Sequence, residues 1–251
     1  MAGVSGRPIR PLFLTREAAI VLLIAAAAWV AVMVQARGMN STGAMGATMG
    51  LGLLAFIPAW TLMMAAMMLP SVAPVAVLYE RSVSSNRAPR LAAFAAGYLI
   101  VWGLAGVPAF AIASFVSGVA MDHPSTGGLL VAAIFLIVGL YQLSPLKDRC
   151  LRNCRSPLSL LLHYASFKSQ LRDLRAGTHH ALYCLGCCWA LMLVLIVAGS
   201  MSLLVMVALA VIVLIEKYWA RGEAFSRVVA GGAVVLAVAA IWVALSPPLS
   251  S

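Results

Sequence analysis

Apolar residues fall in long unbroken runs separated by short polar joints. The runs lie near 18–36, 51–79, 91–119, 127–144, 181–198, 200–216 and 227–245. A hydrocarbon core about 30 Å thick takes about 20 apolar residues of helix. Each run is therefore expected to span a bilayer. The fifth and sixth need a decision, because Ala181 to Ile215 is one uncharged run of 35 residues. As one helix it would be about 52 Å long at about 1.5 Å per residue, too long for one crossing. Gly199-Ser200 falls near its middle, so two short, tightly connected helices are expected. The fold class read from the pattern is all-α, a polytopic transmembrane bundle of about seven spans.

The polar joints orient this bundle. With the N-terminus inside, all but Arg37 of the 17 Lys and Arg fall on the inner side. Merging spans five and six would throw Lys217, Arg221 and Arg227 outside. The positive-inside rule thus favours seven spans, N-terminus cytoplasmic and C-terminus outside. Residues 1–17 read as a cytoplasmic tail, 18–245 as one transmembrane domain and 246–251 as a C-terminal tail. The first run is too long for a signal-peptide core and lacks a convincing cleavage site.

Composition agrees with lipid as the solvent. Hydrophobic residues are 63% of the chain and charged residues 10%, with mean hydropathy +1.02; a soluble domain is about half apolar and about a quarter charged. A soluble enzyme, a disordered chain and a disulfide-rich secreted module are excluded. The net charge of +10 does not point to nucleic acid, because the cations are dispersed among the joints. The expected partners are the lipid bilayer and, if Gly46, Gly50, Gly103 and Gly106 allow close helix contacts, other membrane subunits.

The longest joint, 145–180, has a pattern of its own. Ser156-Pro157 is an N-cap followed by proline at the first helical position. Leu160, Tyr164, Phe167, Leu171 and Leu174 recur at steps of three and four, and Gly177 can end the helix. A cytoplasmic amphipathic helix on the anionic inner leaflet is expected, either as a lid or as a plain connector.

No Asp, Glu, Lys, Arg or His lies deep inside an expected span, which argues against proton relays and voltage sensing. A buried Schiff-base lysine, a P-loop and a serine-hydrolase elbow are all missing. No catalytic or cofactor-binding residue is assigned.

The five cysteines fall in two clusters at the inner surface. Cys150 and Cys154 form C-x3-C; Cys184, Cys187 and Cys188 form C-x2-C-C. Spacings of three and four put thiols on one helix face. Together they suit a four-thiolate zinc site or a lower-coordinate Cu(I) site. Lys147, Arg149, Arg152 and Arg155 are expected to lower the first pair's thiol pKa. His179 and His180 stand just before the second cluster as further candidate donors. A redox thiol pair and plain apolar packing remain open alternatives, whereas a structural disulfide is disfavoured in a reducing compartment. His163 reads as an interfacial residue, and Asp122-His123 as turn chemistry before Pro124.

Methionine is the second soft donor, with 13 in the chain. Met39, Met45 and Met49 lie in the outer loop, where a polar, glycine-rich segment has no evident core to fill. In span two, Met63 with Met67 and Met64 with Met68 are i,i+4 pairs. Thioethers favour Cu(I), but methionine also fills irregular helix contacts. Pro70 and Pro74 are expected to kink span two beside these residues.

Several segments taken together are familiar: Trp60 with Met63-Met64-Ala65-Ala66-Met67-Met68-Leu69-Pro70, Gly97-Tyr98, Tyr141-Gln142-Leu143-Ser144-Pro145, Cys184-Leu185-Gly186-Cys187-Cys188-Trp189 and Glu216-Lys217. Over roughly residues 18–220 the chain resembles a bacterial family described as predicted metal-binding integral membrane proteins, a domain of unknown function. Members often carry a Met- and Asp-rich outer loop; here the loop keeps its Met and has no Asp. The resemblance implies a bacterial cytoplasmic (inner) membrane location.

The expectation is a membrane protein that binds a soft transition metal, copper ahead of zinc, for handling or transport. Cys150, Cys154, Cys184, Cys187 and Cys188 would be thiolate ligands, and Met63, Met64, Met67 and Met68 transient ones. The alternatives are a non-catalytic scaffold subunit of a larger membrane complex and, last, a membrane thiol oxidoreductase.

Overall fold

The computed structural model describes residues 16–42, 47–82, 86–156, 164, 171–198 and 202–246. Among them there are eight helices and no strand: α1 (Arg16–Thr42), α2 (Leu53–Ser82), α3 (Arg87–Asp122), α4 (Pro124–Gln142), α5 (Pro145–Arg155), α6 (Arg172–Val197), α7 (Leu203–Tyr218) and α8 (Gly222–Leu245). Every expected apolar run has become a helix. Five of them, α1, α2, α3, α6 and α8, are long and apolar enough to cross a membrane. The bent pair α4–α5 raises the number to six. The 16 residues of α7 are short of the roughly 17 that the thinnest crossing needs.

α2 is the central helix. Of its most apolar window 78% is buried, against 28% for α1 and 17% for α8. The peripheral helices turn bare apolar faces outward, with Leu23, Val34, Val235 and Trp242 exposed, as lipid-facing helices do. The ends of the helices meet in a consistent order. Asp173 of α6 takes a salt bridge from Arg90 of α3 at 2.8 Å and a hydrogen bond from Tyr79 of α2. Lys147 of α5 pairs with Glu216 of α7 at 2.8 Å. Ser226 of α8 donates to the Gln142 carbonyl of α4 at 3.0 Å. One end of the bundle therefore gathers most of the charged residues.

Two expectations for the joint 145–180 change. Its first part is a separate helix, α5, bent 62° from α4. Ser144-Pro145 carries the same start signal that was read at Ser156-Pro157: Ser144 Oγ accepts from Lys147 N at 3.2 Å, with proline in the first turn. Ser156 instead closes α5 as its C-cap. The rest of the expected amphipathic helix, with His163, lies outside the described residues, apart from Tyr164, which is buried. Gly177 ends nothing, because α6 starts at Arg172 and runs through it. Its role is contact. A methyl group there would strike the Phe94 carbonyl, and one on Gly97 would strike the Leu174 carbonyl. The two glycines let α3 and α6 touch backbone to backbone.

Gly103 and Gly106 also act inside the chain, against Thr61 and Trp60 of α2. Met49 is not a free loop residue. It is buried at 2% exposure and holds a left-handed φ of 61° beside Gly50 at 66°. The packed side chain outweighs the conformational cost. The side chains of Met39 and Met45 lie outside the described residues.

Candidate metal centre

The site grows from a proline. Pro74 has no N–H to give the Pro70 carbonyl one turn earlier, so α2 carries an unfilled acceptor in its interior. Tyr218, at the end of α7, brings its hydroxyl there, donating to Ser71 O at 2.7 Å with Pro70 O at 3.3 Å. A neighbouring helix thus satisfies the broken backbone. Docking Tyr218 also brings in Lys217. Its ammonium is buried and donates to Ser71 Oγ at 2.8 Å and to Cys184 Sγ at 3.2 Å.

Around that ammonium the two cysteine clusters meet. Cys154 Sγ of α5 is 4.0 Å from Cys187 Sγ of α6. Cys187 and Cys188 each donate a thiol proton to the Cys184 carbonyl, at 3.1 and 2.8 Å. Tyr98 of α3 places its hydroxyl 3.0 Å from Cys184 Sγ. Cys154, Cys184, Cys187 and Cys188 are all buried, and all five cysteines are free thiols. Cys150 is half-buried against Gly186, where an added methyl would lie 2.7 Å from its Sγ. The glycine in the Cys-Leu-Gly-Cys-Cys segment thus lets α5 lie close to α6. Tyr141 fastens the same turn through a hydrogen bond to the Gly186 carbonyl.

The basic residues of α5 do not act on the thiols as expected. Lys147 is spent on Glu216, and Arg155 donates to the Trp219 carbonyl at 2.6 Å. The hydrogen bond to Cys187 and then burial hold the Cys154 thiol well above its ordinary pKa, and burial raises Cys150 as well. The cation at the thiols is Lys217, from a different element.

The remaining candidates divide. His180 is buried between Phe94 and Tyr98, with ring centroids 6.2 and 6.1 Å away, and its Nδ1 has no hydrogen-bond partner. His179 packs edge-on against Tyr164 and Tyr183. Met63, Met64, Met67 and Met68 are fully buried in the core of α2, as are Met192 and Met206 from α6 and α7. His123 is exposed in the turn between α3 and α4. Among the described residues, no group of three or more His, Cys, Asp or Glu is gathered so as to hold a metal ion. A mostly apolar cavity of about 410 Å³ opens between α2, α3 and α6, lined by Trp60, Trp102, Trp189, Met192 and Gly186.

Lys217, Ser71 and Tyr98 were not singled out as site residues from sequence. The only signal for them was position, since Tyr98 and Lys217 sit inside the motifs that carry the family resemblance.

Fold and site together define a class: a helical protein with membrane-crossing segments and a buried, cation-facing thiol cluster. The copper chaperone PpoB2 family matches residues 57–243, and the chain belongs to it. Comparison with curated proteins and with solved structures gives no match.

Proposed function

We propose that this copper-family protein holds Cu(I) between Cys154 and Cys187 inside the bacterial cytoplasmic membrane and hands it on along the buried methionines. The observation that carries the reading is the sulfur pair. Residues 33 apart in the chain place two buried sulfurs 4.0 Å from each other. With metal–sulfur bonds of about 2.3 Å, two ligands on one ion are about 3.8 to 4.6 Å apart, from tetrahedral to linear. The pair therefore accepts a soft ion with little movement, and Cu(I) is content with few soft ligands. Cys184 and Cys188 lie on adjoining turns of α6 and can take over a third position. Cys150, His179 and His180 border the cluster and complete the candidate donor set.

Charge supports the same reading. Cu(I) with two thiolates carries one net negative charge, and an unpaired charge in a dry interior is costly. Lys217 supplies one positive charge beside Cys184. Binding requires loss of the thiol protons, so copper uptake releases protons and weakens as pH falls. Met63, Met64, Met67 and Met68 offer neutral soft donors that bind more loosely than thiolate, as suits transfer.

Metal content of the detergent-purified full chain, loaded anaerobically with Cu(I) or Zn²⁺, tests this. About one copper per chain is expected, lost in Cys154→Ser/Cys187→Ser while the fold is retained. Retention of copper by that variant would overturn the assignment, and preference for zinc would overturn the metal. The same pair is also the one that would oxidise if the protein were a thiol oxidoreductase. Mass spectrometry showing a reversible Cys154–Cys187 disulfide, with no copper bound, would favour that second reading.

A further inference from the structure

Away from the thiols, four arginines line one cavity of about 590 Å³ at the charged end of the bundle. Arg152 and Arg155 come from the last turn of α5, Arg221 from the α7–α8 turn and Arg227 from α8. Glu223 is the sole carboxylate among the residues that line it. Guanidinium groups sharing a concavity repel one another, and the repulsion is relieved by a bound anion. The site is also built. Arg155 is held by the carbonyls of Trp219 at 2.6 Å and Ala220 at 3.2 Å. Gly222 leaves room for it, since an added methyl would lie 3.0 Å from Arg155 Nη1. α8 begins at Gly222, so the positive end of its dipole faces the same space.

We infer that this cavity binds a phosphate-bearing anion, seated as the headgroup of an anionic phospholipid. Arginine forks match phosphate oxygens two at a time. The surroundings select a lipid over a free phosphate. Trp219 is half exposed at the rim and packs edge-on against Phe225, a ring placement typical of a membrane interface. Past Arg227, Val228 and Val235 continue α8 as bare apolar surface for an acyl chain. Basic pockets between helices on the inner side of membranes take such headgroups. A lipid there would tie α5, which carries Cys154, to α8.

The test uses the full chain in neutral detergent, with phosphatidylglycerol, phosphatidylcholine or inorganic phosphate added. Thermal unfolding and native mass spectrometry are the readouts. Phosphatidylglycerol is expected to raise the unfolding temperature and remain bound in the mass spectrum, while phosphatidylcholine and phosphate do neither at equal concentration. Arg221→Gln/Arg227→Gln should need at least about tenfold more phosphatidylglycerol for the same shift. Arg87→Gln/Arg149→Gln, which removes two exposed charges outside the cavity, should behave as wild type. Equal effects of phosphate and phosphatidylglycerol would overturn the lipid assignment. Equal losses in both double variants, or equal binding of both lipids, would reduce the site to general surface charge and overturn the proposal. Cu(I) binding by the Arg221→Gln/Arg227→Gln variant verifies its fold, so this failure is separable from failure of the thiol reading.

Discussion

Lys217 is the residue on which the site turns. A buried ammonium must find acceptors or charge, and it finds Ser71 and Cys184. If it balances the charge of a copper-thiolate centre, Lys217→Met should weaken Cu(I) affinity by at least about tenfold, or about 1.4 kcal/mol. Lys217→Arg should recover part of it. Competition titration against a chromogenic Cu(I) chelator at fixed pH reads the difference. A purely structural lysine would instead give Lys217→Met full copper affinity together with a lowered unfolding temperature. The cysteines divide at the same scale. Cys154 and Cys187 face each other, whereas Cys150 sits half-buried against Gly186, so its replacement by serine should cost little copper.

Among the elements, the α3–α6 contact holds the second cysteine cluster in place. Gly97 and Gly177 meet the carbonyls of Leu174 and Phe94, with no room for a methyl. Gly177→Ala must therefore separate two backbones, and overpacking of this kind costs about 1–3 kcal/mol. Gly186→Ala presses only on a thiol at 2.7 Å, a side chain able to rotate away, so its cost should be smaller. Thermal unfolding in detergent compares the two, and an equal or larger loss for Gly186→Ala would contradict this ranking. The kinked α2 shows the same economy of contact. Pro74 removes a backbone donor, Tyr218 covers the exposed carbonyls, and that cover carries Lys217 to the thiols. The Lys147–Glu216 pair secures α5 to α7 just beyond. Breaking one partner would leave a buried charge unpaired.

For the whole molecule, helices of alternating direction collect their charged ends on one side. Arg90 with Asp173, Lys147 with Glu216 and Arg155 with Trp219 all meet there. Seven crossings in a bilayer would follow if α4 and the short α7 each span it. Reporter fusions at the α3–α4 turn, the α6–α7 joint and the C-terminus should then report the outer side, and fusions before α1 or at the α7–α8 turn the inner side. An inner C-terminus would require α7 to turn back within the membrane, leaving an even number of crossings.

Much of this was legible along the chain. Apolar runs longer than any soluble core needs can only be helices in lipid, because backbone groups must be satisfied within the segment. The position of each helix, the candidate thiols and the clustering of cations follow from that local rule. Burial and partnership do not. Lys147, Glu216 and Lys217 stand outside the apolar runs and read as solvated joint residues, yet all three are buried, because helix ends pack on one another as well as on water. The signal of a polar residue followed by proline occurs at both Ser144 and Ser156, and only the packing of Lys147 and Cys154 picks out the first as the start of a described helix. Gly177 reads as a stop, whereas the neighbouring helix uses its missing side chain. Above all, the meeting of Cys154 with Cys187 depends on two helices leaning together across Gly186, a distance set by tertiary contact and invisible to spacing along the chain.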